Sequence, residues 1–181
     1  MASVGIIEIS NITKGYLVCD TILKLTSIKM LSAGSVCPGK FVMVFTGTIS
    51  SVSHACQHIQ ESFSEYILDI SEFGNIDDRI FDAINGVIDG RLTGAVGIIE
   101  TYSAASCILA ADHALKAANV DIAELRLARG MGGKSFVSLT GTISSVNEAV
   151  EVGKSFASEN GFLNDTTIIA SPHEDLWQYI I

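Results

Sequence analysis

The sequence predicts an α+β fold built twice: two tandem ferredoxin-like domains, each running β-α-β-β-α-β. Three observations carry this. The block TGTISSV occurs at Thr46–Val52 and again at Thr140–Val146, while VGIIE occurs at Val4–Glu8 and at Val96–Glu100. The offsets, 94 and 92 residues, nearly agree, so the chain duplicates a unit of roughly 90 residues. Between these anchors, each copy alternates short β-rich runs with apolar residues spaced by three and four. The repeat sets the domains at residues 1–92 and 93–181.

Each element follows from local pattern. A β run opens each copy (Val4–Ile9; Ala95–Thr101), and a helix follows. In the second copy Ala104, Ile108, Ala111, Leu115 and Ala118 form one buried stripe. Shifting by 92 gives Ile12, Tyr16, Cys19, Leu23 and Thr26 as a weaker stripe in the first. A strand, a glycine-bearing loop and a second β run come next (Lys40–Thr46; Lys134–Thr140). The second helix has the core face Val52, Cys56, Ile59 and Phe63 in one copy, and Val146, Val150, Gly153 and Ala157 in the other. Ser145 and Glu148 fit a capping box at its start. Last strands are expected at Tyr66–Ile70 and Thr166–Ala170, and an interdomain linker at Gly86–Gly94. The tail, 171–181, carries the only tryptophan and ends apolar, which predicts packing on a neighbour.

Composition bounds the function. Apolar residues make up 48% and charged residues 17%, an apolar balance that points to burial between subunits and hence to an oligomer. The net charge of −9 divides almost evenly, ten acids against six bases in 1–92 and ten against five in 93–181. Without a Lys/Arg cluster, nucleic acid is not an expected partner. No apolar run approaches the ~20 residues of a membrane span, and no secretory signal is visible. A cytoplasmic location is the expectation, with Cys19, Cys37, Cys56 and Cys107 as free thiols.

The copies differ most in one loop. Val36-Cys37-Pro38-Gly39-Lys40 aligns with Gly130-Met131-Gly132-Gly133-Lys134, so one copy has a cysteine where the other has a methionine. Both loops approach the spacing of a phosphate loop, but each is followed by a β run, where phosphate cradling needs a helix N-terminus. Nucleotide hydrolysis is rejected. His54 and His58 stand one helical turn apart without a third ligand, which reads as a solvated or interface face. Cys19, Cys56 and Cys107 fall among apolar helix positions and read as small core residues. No nucleophile–base set or paired acids can be argued, so no enzymatic activity is expected.

Val96–Thr101, Ala110–Val120, Gly130–Lys134 and Gly141–Val150 together resemble the bacterial microcompartment shell domain, and the first copy repeats the pattern in the same unpermuted order. The whole chain is similar to the tandem-domain shell proteins, whose trimers form pseudo-hexagonal tiles. The Cys37 loop and the PHEDLW tail resemble the propanediol-utilization T-type subgroup. That resemblance implies a homotrimer in the shell of a cytoplasmic microcompartment, contacting neighbouring shell proteins. It also implies one [4Fe–4S] cluster per trimer, held on the axis by Cys37, with electrons passing to encapsulated oxidoreductases. Val36, Pro38, Gly39, Gly130, Met131, Gly132 and Gly133 would line the pore, and Lys24 and Lys116 would lie on tile edges. The physical basis is symmetry: one cysteine cannot hold a cubane, but a cyclic trimer brings three copies to one axis. Two other readings stay open: a plain tile whose pore conducts a metabolite, and a soluble ferredoxin-like regulator binding a small effector.

Overall fold

The structure is a computed structural model, and it describes residues 2–88, 93–128 and 130–180. It divides into two compact units, one up to Ile76 and one from Asp77 on.

The first unit runs β1 (Ala2–Ile9), α1 (Ile12–Leu25), β2 (Ile28–Val36), β3 (Lys40–Thr48), α2 (Ile49–Ser62) and β4 (Ile67–Gly74). Its four strands form an antiparallel sheet of order β2-β3-β1-β4. Alternate strand residues point to the helices, and Ile7, Ile9, Phe41, Met43 and Phe45 meet Val18 and Ile22 of α1 and Val52, Ala55 and Ile59 of α2. Each such buried aliphatic or aromatic side chain stabilises by about 1.5–3 kcal/mol relative to exposure.

The second unit begins with α3 (Asp78–Ile84). It then repeats the first: β5 (Ala95–Thr101), α4 (Ala104–Ala117), β6 (Val120–Arg126), β7 (Ser135–Gly141), α5 (Ile143–Glu159) and β8 (Leu163–Ile169). The sheet order β6-β7-β5-β8 is the same as in the first unit. The β-α-β-β-α-β reading therefore holds in both copies. A β strand follows each glycine-bearing loop, as the rejection of a phosphate loop requires.

Three expectations need correction, and one helix was not expected. In α1 the buried residues are Gly15, Val18 and Ile22, whereas Ile12, Tyr16 and Leu23 are exposed. The phase is set by a close approach: a Cβ on Gly15 would stand 2.2 Å from Phe41 Cβ, so only glycine lets α1 lie on β3 here. The α5 cap is Thr142, not Ser145: the Thr142 hydroxyl accepts the Ser145 N–H at 3.2 Å, as Thr48 accepts that of Ser51 at 3.1 Å in α2. Helix α3, which the pattern left unassigned, lies just before the expected linker, and its Ile80 and Ala83 are buried within the second unit; residues 89–92 of the expected linker lie outside the described residues. The tail is not left for a neighbour. Leu176 and Trp177, in a 3-10 turn at Glu174–Tyr179, and Ile180 pack on Val96, Ile98 and Ala123 of their own sheet.

Candidate functional site: the paired hairpin loops

The β2–β3 hairpin is paired to its end, with Val36 opposite Lys40, leaving the three residues Cys37, Pro38 and Gly39 as the turn. The Gly39 N–H returns to the Val36 carbonyl at 2.9 Å. Gly39 sits at φ +96°, a region glycine enters without steric cost, and a Cβ there would meet nothing within 4 Å. The Cys37–Pro38 bond is cis. Val36 is buried, Cys37 half-buried, and Pro38 and Gly39 exposed, so the thiol stands on an anchored turn beside open space.

The corresponding hairpin of the second unit parts earlier. Its last strand pair is Arg126 with Phe136, so 127–134 form a longer loop. Gly130, Gly132 and Gly133 all have positive φ, and Met131 accepts the Lys134 N–H at 3.1 Å. The Ala128 N–H, buried at the loop base, donates to Ser135 Oγ at 3.1 Å. Arg129 lies outside the described residues.

Beneath both loops lies the same ion pair. Lys40 Nζ stands 3.7 Å from the buried carboxylate of Glu8, and Lys134 Nζ stands 2.7 Å from the half-buried carboxylate of Glu100. Asn164 also donates to Glu100. The Glu100 carboxylate holds the Lys134 ammonium above its usual range. The register of the β1–β4 and β5–β8 pairings shifts just after each glutamate, the kind of irregularity that re-aims a side chain.

The other thiols are unsuited to ligation. Cys56 and Cys107 are buried and Cys19 packs against the core, as the sequence led us to expect. Burial pushes Cys56 and Cys107 up to about 12 and also raises Cys19, so none offers a thiolate near neutral pH. Among the described residues, no three His, Cys, Asp or Glu stand close enough to hold a metal ion. His54 is exposed and His58 half-buried on α2.

The two edge lysines differ. Lys24 pairs at 2.6 Å with Asp20, both largely exposed. Lys116 pairs at 2.6 Å with Asp112, whose carboxylate is only 6% exposed and also accepts the Asp77 N–H at the start of α3. Arg79, on α3, reaches the Val120 carbonyl at 2.8 Å and grips Asp77 at 2.8 Å. Nothing in the shared blocks signalled this network, because α3 lies outside the β-α-β-β-α-β pattern they define. The one available signal was the run Asp77-Asp78-Arg79, acids at a helix start. No described helix is long and apolar enough to cross a membrane.

The BMC domain family matches residues 3–72 and again 95–172. The chain is 35% identical over 179 residues to the bacterial microcompartment shell protein PduT of Citrobacter freundii, covering 99% of this chain and 97% of that one. It is 39% identical over 84 residues to the carboxysome shell protein CcmK3 of Synechococcus elongatus, covering 45% of this chain and 80% of that one. A solved microcompartment protein from Desulfitobacterium hafniense DCB superposes with a TM-score of 0.93 at 38% identity, over 98% of this chain and 99% of that one. With both units matched and a full-length likeness in sequence and fold, the chain belongs to the BMC-domain family and is a tandem-domain structural shell protein of a bacterial microcompartment, not an enzyme.

Proposed function

We propose that three copies of this chain close a tile in which the three Cys37 thiols converge on one axis and hold a single [4Fe–4S] cluster. The observation that carries this is the placement of the cysteines. Of the four, Cys37 alone stands on a turn with open space beside it, and the rest are core residues. One thiol per chain fits a cubane only when a three-fold axis triples it, with the fourth iron left to another ligand. The first unit also leaves Ile12, Tyr16, Leu17 and Leu23 of α1 exposed, an apolar face suited to burial against another copy.

On this reading the duplicated modules are residues 1–92 and 93–181, with α3 after the last strand of the first module. Cys37 is the ligand, and Val36 anchors the turn. Pro38 and Gly39 let backbones approach closely, and Gly130, Met131, Gly132 and Gly133 form the second, unligated kind of pore loop. Lys24 and Lys116 face neighbouring shell proteins. When bound, the cluster supplies one-electron exchange between the two faces of the shell, with encapsulated oxidoreductases as the partners inside.

The test is iron and acid-labile sulfide per trimer, after anaerobic purification, in wild type and in Cys37→Ser. About four irons per trimer in the wild type, and none in an equally trimeric Cys37→Ser, is the expected result. Iron retained by Cys37→Ser overturns the assignment. A colourless wild type, even after reconstitution, leaves the plain metabolite-conducting tile in its place.

A further inference from the structure

The first unit contains a cleft of about 230 Å³ between α2 and the sheet-edge strand β4, lined by Ser53, Cys56, Gln57, Gln60, Ile70, Ser71 and Glu72. That is room for roughly seven waters, or for a ligand of a few heavy atoms. The groups around it have one electrostatic character. Residues 49–76, which span both walls, contain Glu61, Glu65, Asp69 and Glu72 and no lysine or arginine. Ser53 Oγ donates to Glu72 Oε1 across the mouth at only 3.4 Å, and Gln57 Nε2 donates to Glu61 Oε1 at 2.9 Å. The floor is apolar, formed by Ile70 and the buried Cys56. Burial, reinforced by the Glu72 charge, pushes this thiol up to about 12, so it stays neutral.

The duplication supplies an internal control. At offset 94, Cys56 corresponds to Val150, Gln57 to Glu151 and Gln60 to Lys154. By strand pairing, Glu72 opposite Gly5 corresponds to Ile168 opposite Gly97. In the second unit valine replaces the thiol on the floor, and the chain's own ammonium, Lys154, stands 3.5 Å from Glu151. The first unit keeps an acidic wall, has a smaller floor residue and lacks the lysine.

We propose that this cleft binds a primary ammonium group on a short aliphatic stem. The ammonium has three donors and no acceptor. It meets the Glu72 carboxylate, the Ser53 hydroxyl and the Gln60 amide oxygen, while the stem lies on Ile70 and Cys56. A single ion pair at an open cleft gives weak binding, with Kd on the order of millimolar. The stem can belong to a free amine or to a lysine of another protein, and the same chemistry serves both.

The experiment is an NMR titration of the full-length protein, following the side-chain amides of Gln57 and Gln60, with butylammonium, with Nα-acetyl-lysine methylamide and with butanol. Saturable shifts with either cation and none with butanol support the site. Saturation by butylammonium but not by the blocked lysine assigns a free amine, and saturation by the blocked lysine, with or without butylammonium, assigns a protein side chain. Glu72→Gln is expected to weaken binding about 5-fold, and Gln60→Lys, which copies the second unit's lysine, to abolish it with the fold unchanged by circular dichroism. Equal binding of butanol, absence of saturable shifts, or undiminished binding in Gln60→Lys overturns the proposal.

Discussion

The helix after the first strand of each unit, α1 or α4, occupies the same place in the fold, yet the two pack by different means. In α1 the close approach is helix to strand: Gly15 lies on Phe41 and Tyr16 rests on the same ring at 4.8 Å, while Ile12, Leu17 and Leu23 remain exposed. In α4 it is helix to helix: a Cβ on Gly153 of α5 would stand 2.9 Å from the Ala110 carbonyl of α4. Ala104, Ala105, Ala110, Ala111 and Ala114 are all buried, so α4 is covered nearly all round. The scaffold beneath stays constant, with threonine caps at Thr48 and Thr142 and glutamate–lysine pairs under both loops. Duplication thus kept what closes each unit and released what faces outward.

The largest effect should come from the glycine that sets the α1 contact. Gly15→Ala is expected to destabilise the first unit by about 3 kcal/mol, because the added methyl collides near the root of Phe41 rather than at a mobile tip. Gly153→Ala should cost about 2 kcal/mol, since Ile99 Cδ1 can move aside while the Ala110 carbonyl cannot. Denaturant melts of the two variants check the order, and equal costs would show that the two packings are not as different as drawn.

The lysine pair comes next. Lys116→Ala removes the partner of a buried carboxylate and should cost about 1–2 kcal/mol, discounted because Lys116 is itself 42% exposed. Lys24→Ala breaks an exposed i,i+4 pair and should cost under about 0.5 kcal/mol. Thermal midpoints of the two variants measure the contrast. Thr48→Ala and Thr142→Ala should each cost about 1 kcal/mol, and equally, if the caps are equivalent.

The smallest effect is one of pH. The hydrogen bond from Arg79 lowers the Asp77 carboxyl below its ordinary value. A lowered folded-state pKa contributes stability above the unfolded value, about 3.9, and that contribution is lost as pH falls through the folded value. Amide protection of Ile80 and Ala83, corrected for intrinsic exchange, should therefore be constant from pH 7 to about 4 and drop below it. Protection unchanged at pH 3 would mean that Asp77 does not hold α3 in place.

How much of this the sequence disclosed depended on whether the signal was local. The core faces of α2 and α5 were legible because one face alone is buried, so periodicity fixes the phase, and the central strands because each is a short apolar β-rich run buried on both faces. The α1 stripe was mis-phased because it was carried over from α4, where both candidate faces are buried and the pattern does not choose between them. Helix α3 is seven residues long, too short for a periodic stripe to announce it, and its buried Ile80 and Ala83 hold it within the second unit. Cys37 was visible as a difference between the copies, but the chemistry proposed for it needs three chains, and no pattern within one chain encodes that.

The seat of the tail turns the chain into its own spectrometer. Trp177 is the only tryptophan, and it packs on the second unit's sheet. Its emission therefore reports the state of one half of the molecule, while circular dichroism averages both halves. In a denaturant scan, coincidence of the two signals means that the duplicated halves melt as one body. A gap between the curves gives the independence of the first unit directly, without any added label.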